Sequence, residues 1–426
     1  MNTIKIICAS FICLLFLSVI LMSNSSGESN KNDIDNLTYN DISYLWPVPK
    51  DSADIEKLLS ANTVIENTTI WPEESFNEVL NMARSLKIPL IPKKRGYRSI
   101  EFGYTNDSLL LKRKNWKVVG FRIDPSAPST DDKITTSFGI IPQIRLVLQP
   151  VIFERDSVVV YDYAVHLPFC FVLGEKTSDS TTFIPDTVAF KGIINDIFIL
   201  KKYLESTSKV PSEEVLQVNK GLANKVPGYA KKIEAFLSKH IPKGKLKFIS
   251  FMGLAPRPNP WIFFSMPTGD KFQVLNTLLN PKKMAGKPIR ENTNWKDGTS
   301  VSTAILYTMK AMDPLLDSLA ISKKQTPLNK DIPNIIANPD FCNVLNTDCI
   351  SCHSESTRRS ILKLEANKNH TYSKKILVKK ELLPTEKENV RNFGWFGKHT
   401  KPVISMRTAN ETANALKYIK KKYSTP

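Results

Sequence analysis

The chain has 426 residues, 42% of them hydrophobic, with 27 prolines and a net charge of +18. This length and apolar content exclude disorder over most of the chain and suffice for two or three domains with a sizeable core. The positive charge raises the question of nucleic acid, but the chain holds no zinc-finger spacing or other nucleic-acid motif, so no nucleic-acid partner is expected.

Lys5 precedes an apolar run from Ile6 to Met22, and Ser23-Asn24-Ser25-Ser26-Gly27 follows. A short positive region, an apolar core and small residues form an export signal, so residues 1–26 read as a signal peptide or, uncleaved, a membrane anchor. Cys8 and Cys13 lie inside the run, which gives no lipid-anchor signature. The expected location is periplasmic or secreted, with a tether to the inner membrane if the segment is retained. Residues 27–45, rich in Asn, Asp and Ser, read as a flexible spacer.

Residues 46–320 read as a mixed α+β domain with mostly antiparallel pairing. Ser52 can cap a helix over Ala53 to Ser60. Phe76, Val79, Leu80, Ala83 and Leu86 make a helical stripe that Pro89 and Pro92 end. Strands are expected over Trp116 to Ile123, Gln143 to Gln149, Asp156 to Tyr161 and Ala164 to Val172. In the second, Ile144, Leu146 and Leu148 share one face. Asp124-Pro125 reads as a turn. Helices follow over Phe190 to Leu204 and Tyr229 to Lys239, then strands over Leu246 to Met252 and Trp261 to Met266. Thr303 to Leu319 reads as a helix bent near Pro314, and residues 321–340 as a linker. No glycine-rich phosphate loop, Gly-x-Ser-x-Gly or internal repeat occurs. His166 and the acids Asp124, Asp156, Asp162 and Asp186 form no recognised spacing, and His166 reads as a structural histidine.

The sharpest chemistry is Cys349-Ile-Ser-Cys352-His353. Covalent haem attachment needs two thiols that reach the vinyl groups on one porphyrin edge and an imidazole that turns under the iron, and this order and spacing supply them. His353 would be the proximal ligand of haem c iron. A redox dithiol or disulfide is the rival reading, and half a zinc site a weaker one. If haem takes Cys349 and Cys352, Cys170 and Cys342 remain as a disulfide candidate. Residues 353–426 hold 17 Lys or Arg against 6 Asp or Glu, a net +11, which suits an acidic protein partner.

Residues 336–424 resemble class I c-type cytochromes through this motif, a later methionine and a final helix. The resemblance makes residues 341–426 a small, mainly helical haem domain. It implies Met406, in Pro402-Val-Ile-Ser-Met-Arg407, as the second iron ligand, with His399 and His370 as further candidates. The final helix runs from Thr408 or Ala409 to about Tyr423. The whole chain also resembles uncharacterised exported bacterial proteins with a single C-x-x-C-H, through Phe121-Arg-Ile-Asp-Pro125, Pro142-Gln-Ile-Arg-Leu-Val-Leu-Gln-Pro150, the Cys349 to His353 stretch and Arg407-Thr-Ala-Asn-Glu-Thr412. The implied activity is one-electron transfer; the alternatives are an open-site haem enzyme using peroxide, and a non-haem exported structural or binding protein.

Overall fold

Alternating apolar and polar residues between 116 and 170 build the centre of the molecule. The computed structural model describes residues 34–65, 67–85, 87–89, 99–101, 109–127, 140–178, 180–208, 215–241, 245–254, 260–268, 305–308, 333–334, 336–340, 352–353, 355–356, 359–360, 377–386, 389 and 391–424. Their fold is α+β, with antiparallel pairing throughout the main sheet.

That sheet has the order β1 (Ser43–Leu45), β2 (Trp116–Ala127), β3 (Ile141–Glu154), β5 (Ala164–Cys170), β6 (Phe248–Leu254), β7 (Pro260–Pro267), β8 (Ile305–Thr308); β4 (Ser157–Val160) pairs with β3 to the side. In the register, Ile123 opposes Ile144, Phe121 opposes Leu146, and Leu146 opposes Leu167. Side chains alternate across a strand, so these residues share one face. All five are fully buried, and each contributes about 1.5–3 kcal/mol of transfer free energy. Helices α4 (Thr187–Thr207) and α5 (Tyr229–His240) cover this face, and the ring of Phe236 stacks on Phe121 with centroids 6.0 Å apart. Asp186 starts α4 by accepting from Ala189 N at 2.9 Å, which satisfies an amide that has no partner within the helix.

The same alternation puts Arg122 and Asp124, then Gln143, Arg145 and Gln149, then His166 and Cys170 on the opposite face. A polar sheet face ordinarily meets water. Here the C-terminal segment covers it. Strand β9 (Phe393–Phe396) pairs with β10 (Lys401–Ile404), and α6 (Met406–Tyr423) follows, capped by Ser405. The Gln149 side chain, fully buried, accepts from Trp395 N at 2.7 Å and donates to Trp395 O at 2.8 Å. It binds the hairpin as a neighbouring peptide would. Trp395 Nε1 donates to Trp46 O at 2.9 Å. Gly120 leaves room for the hairpin, because a Cβ there would lie 2.6 Å from Phe393 Cε1.

Several expectations change. Residues 34–45 are not a spacer: Ile34, Leu37, Ile42, Tyr44 and Leu45 are buried, and the segment carries the short helix α1 (Tyr39–Ile42) and β1. The apolar residues at its end outweigh its polar start. Residues 305–308 form an edge strand paired to β7, not part of a helix, with Ile305 opposite Phe263 and Tyr307 opposite Trp261; an unpaired apolar strand edge supplies a ladder that local propensity cannot anticipate. Asp124-Pro125 lies inside β2, at a register irregularity between Asp124 and Ala127, so the expected turn is a bulge. Among the described residues of 377–424, Trp395, Met406, Leu416 and Ile419 join Phe121 and Ile144 in one apolar cluster. The described C-terminal residues hold a hairpin as well as the final helix, which starts at Met406. The signal segment 1–26, the expected helix over 309–319 and most of the linker 321–340 lie outside the described residues.

Gly394 has φ +138°, and a Cβ there would strike Gln149 Oε1. Gly394→Ala is expected to cost about 2–4 kcal/mol, read as a lower urea midpoint, whereas Gly174→Ala, at a position with open space around it, changes the midpoint little.

Candidate functional site

Arg122 and Arg145 are directly opposed across β2 and β3. Like charges in that position repel, so the pair needs carboxylates. Asp124 Oδ2, two residues along the same strand, lies 3.1 Å from Arg122 Nη2, and Glu411 Oε2 of α6 lies 2.5 Å from Nη1. Arg407 Nε donates to the other oxygen of Glu411 at 2.8 Å and its Nη1 to Ile336 O at 2.9 Å. Asn410 donates to Ala337 O at 2.7 Å, and Thr412 Oγ1 lies 3.0 Å from Ser43 Oγ. The stretch Arg407 to Thr412 therefore ties α6 to β1, to β2 and to residues 336–337.

Charge follows this geometry. Burial opposes ionisation of Glu411, but Arg122 and Arg407 overcome it and hold the carboxyl well below the ordinary glutamate range. Burial works against the Arg122 cation too, and Glu411 and Asp124 more than restore it. Arg145, half-buried, is pushed down by lost hydration and by Arg122, with Asp124 and Glu411 opposing.

The C-x-x-C-H stretch meets this face. Residues 352, 353, 355, 356, 359 and 360 are helical, and Cys352 and His353 are half-buried. One turn further, Ser356 Oγ accepts from Met406 N at 2.9 Å, and Arg359 pairs with the fully buried Glu355 at 2.8 Å while donating to Asn334 Oδ1 at 2.8 Å. Met406 is buried within the apolar cluster at the start of α6. The structure thus brings Met406 to the helical residues that carry His353. His399 is exposed, with its ring 5.5 Å from Phe396. Cys349, Cys342 and His370 lie outside the described residues.

His166 projects from the polar face of β5 between Val147 of β3 and Ser250 of β6. Burial first, then the charges of Arg145, His353 and Arg391, push its pKa well below the ordinary value of 6.5. The imidazole is neutral at neutral pH, and it lies within the electrostatic reach of the motif histidine. Sequence spacing gave no hint of that neighbourhood, which depends on a strand and a segment almost two hundred residues apart.

Arg391 is the other residue that spacing missed. It is 2% exposed, and no hydrogen bond reaches any of its three guanidinium nitrogens. Its nearest carboxylate oxygen, Asp162 Oδ1, is 3.7 Å from Nη2 and already accepts from Gly397 N at 2.8 Å. Burial pushes Arg391 down to about 10, Asp162 offsetting part of it, so the group stays charged at neutral pH. Cys170 is a buried thiol, pushed up to about 12 by burial, with Sγ 3.8 Å from Pro168 O. Among the described residues there is no disulfide and no cluster of three metal-ligating side chains.

No protein-family model matches the chain, and neither the curated proteins nor the solved structures give a match.

Glu411→Gln removes a carboxylate shared by two arginines. It is expected to destabilise the chain by about 2–3 kcal/mol at neutral pH. Because the folded pKa is depressed, the stabilisation is present above the unfolded value near 4.5 and is lost as pH falls below it. Urea titrations between neutral pH and pH 3 should therefore show the two proteins converging in acid; a constant gap would count against the pairing.

Proposed function

We propose that the chain is an exported monohaem c-type protein that exchanges single electrons with an acidic partner, with haem held covalently by Cys349 and Cys352 and axially by His353. The observation that carries this reading is the order Cys349-Ile-Ser-Cys352-His353, joined to a helical, half-buried Cys352 and His353 beside a buried cationic face. The donors suit the group: thiols for the vinyls, and imidazole and thioether for the iron. Bound haem iron would supply a one-electron couple whose potential depends on axial ligands, burial and nearby charge.

The chain's own residues have definite tasks in this reading. His353 would hold the iron through an imidazole nitrogen. Met406 would offer a thioether donor, with Ser356 fixing its backbone. The apolar cluster around Met406 and Trp395 excludes water. Exposed Lys417, Lys421 and Lys422 at the end of α6 attract an acidic protein and speed encounter at low salt. The setting differs from a free-standing cytochrome domain, because the ligand-bearing segment uses the large sheet as its floor. A second reading gives the sixth position to His166, which projects from the polar sheet face that the C-terminal segment covers.

Expression with the native export segment in a host that matures c-type haem tests the reading. The exported wild type should gain the mass of one haem and give a pyridine haemochrome spectrum, and Cys349→Ser with Cys352→Ser should give neither. A mature wild-type chain without both signals overturns the proposal. In the matured protein, Met406→Ala should abolish a sulfur-to-iron charge-transfer band and lower the reduction potential, while His166→Ala leaves that band in place. An unchanged Met406→Ala spectrum together with a high-spin His166→Ala spectrum would assign the sixth position to His166 instead.

A further inference from the structure

Large apolar side chains exposed singly are ordinary, but a group of them marks a contact surface. Among the described residues, six are exposed: Val64, Phe153, Leu173, Ile184, Val188 and Ile199. The last four belong to one region of the fold. Leu173 is the extra residue of a bulge in the hairpin of Val172–Ser178 and Ser180–Pro185, next to Ile184, which opposes Gly174. Asp186 N donates to Phe171 O at 2.9 Å, which joins the base of this hairpin to the start of α4. Val188 and Ile199 share the outer face of α4, about three turns apart. A Cβ on Gly174 or on Gly192 of α4 would meet no atom within 4 Å, so both elements are open on this side.

Charge completes the pattern. Each exposed apolar residue of α4 is followed three positions on by an exposed lysine, Lys191 after Val188 and Lys202 after Ile199, and residues at that spacing share a helix face. The nearby carboxylates are engaged elsewhere. Asp186 caps α4, Asp196 is held by Lys239 at 2.7 Å and His240 at 2.6 Å, and Glu205 pairs with Lys201 at 2.8 Å. Protein interfaces are rich in aromatic residues and arginine and poor in lysine. Aliphatic residues beside lysines suit anionic lipid, where the lysines meet headgroup phosphates and the aliphatic groups reach the acyl boundary. The course of the chain points the same way. Lys420 Nζ of α6 donates to Asp35 O at 2.6 Å, and the ring of Tyr423 at the end of α6 lies 5.7 Å from Phe190 near the start of α4. Residue 34 therefore enters the fold close to this region. The apolar run Ile6 to Met22 ends twelve residues earlier, at most about 40 Å of extended chain.

We propose that the outer face of α4 and the adjoining end of the hairpin dock on an anionic lipid surface, with Leu173, Ile184, Val188 and Ile199 entering the headgroup layer and Lys191 and Lys202 pairing with lipid phosphates. This docking is independent of the haem reading, since it uses none of the residues on the polar sheet face. Helix α4 covers the apolar side of the sheet. Docking through it leaves the polar side, where Ser356 meets Met406, turned to solution.

The full chain, purified from a host that exports it, is followed by amide hydrogen exchange with vesicles of phosphatidylcholine alone and of phosphatidylcholine mixed with phosphatidylglycerol. Exchange over residues 172–174 and 184–202 is expected to slow on the mixed vesicles and not on the neutral ones, and high salt should reverse the slowing. Val188→Glu with Ile199→Glu should abolish it. Both side chains are exposed, so this variant keeps its fold, which unchanged thermal unfolding would confirm. Lys191→Gln with Lys202→Gln should weaken the slowing while every apolar contact is kept. Slowing that survives the glutamate pair would mean that the N-terminal run alone holds the chain to lipid, and the docking surface falls. Slowing without lipid that grows with protein concentration would make a second copy the occupant. Equal slowing on neutral vesicles, or none on either kind, would remove anionic lipid as the ligand and leave the surface to a protein partner. Each of these results overturns the assignment.

Discussion

Arg122 and Arg145 stand opposite each other on adjacent strands, and that repulsion has to be neutralised from outside the sheet. Asp124 supplies part of the answer from the same strand, and Glu411 brings the rest from a helix almost three hundred residues later. Once α6 is drawn in by this pairing, its neighbours follow. Arg407 and Asn410 hold residues 336–337, Thr412 reaches Ser43, and Met406 meets Ser356 beside the C-x-x-C-H stretch. The packing of the C-terminal segment is therefore organised by charge as much as by apolar area.

Buried ion pairs are a poor way to add stability, because desolvation offsets most of the attraction. A sheet with two apolar faces would have been the simpler core. This chain instead encloses one apolar and one polar face. The apolar face carries the folding free energy through the helices α4 and α5. The polar face fixes where the motif segment sits, since each arginine donates only to a carboxylate or carbonyl in the right place. Gln149 works in the same way on the hairpin, with both ends of its amide engaged by one residue, Trp395.

Much of this fold was legible locally. The period-two pattern in Ile144, Leu146 and Leu148 gave the apolar face, and the strands and helices of residues 116–254 lie close to where that pattern and the helical spacing put them. The same alternation implied that Gln143, Arg145 and Gln149 share a face, but nothing local says that a later segment buries it. The stretches Phe121 to Pro125, Pro142 to Pro150 and Arg407 to Thr412 stood out in the sequence without a role; Arg122 and Asp124 of the first and Arg407 and Glu411 of the third form one network, and Arg145 of the second lies opposite Arg122. Arg391 gave no signal, because its burial and its ion pair with Asp162 join segments more than two hundred residues apart. The strand at 305–308 was read as helix for the opposite reason: its partner, the edge of β7, comes from elsewhere.

The two ends of the described chain meet. Thr412 touches Ser43, Lys420 Nζ donates to Asp35 O at 2.6 Å, and the ring of Tyr423 lies 5.7 Å from Phe190. Contacts that span nearly the whole sequence form late, since loop closure must precede them. During synthesis, the polar face stays open until the last helix is made. Residues 352 and 353 are made before the helix Met406–Tyr423, whose first amide meets Ser356. Under the haem reading, covalent attachment would compete in time with the packing of this last helix onto the sheet face.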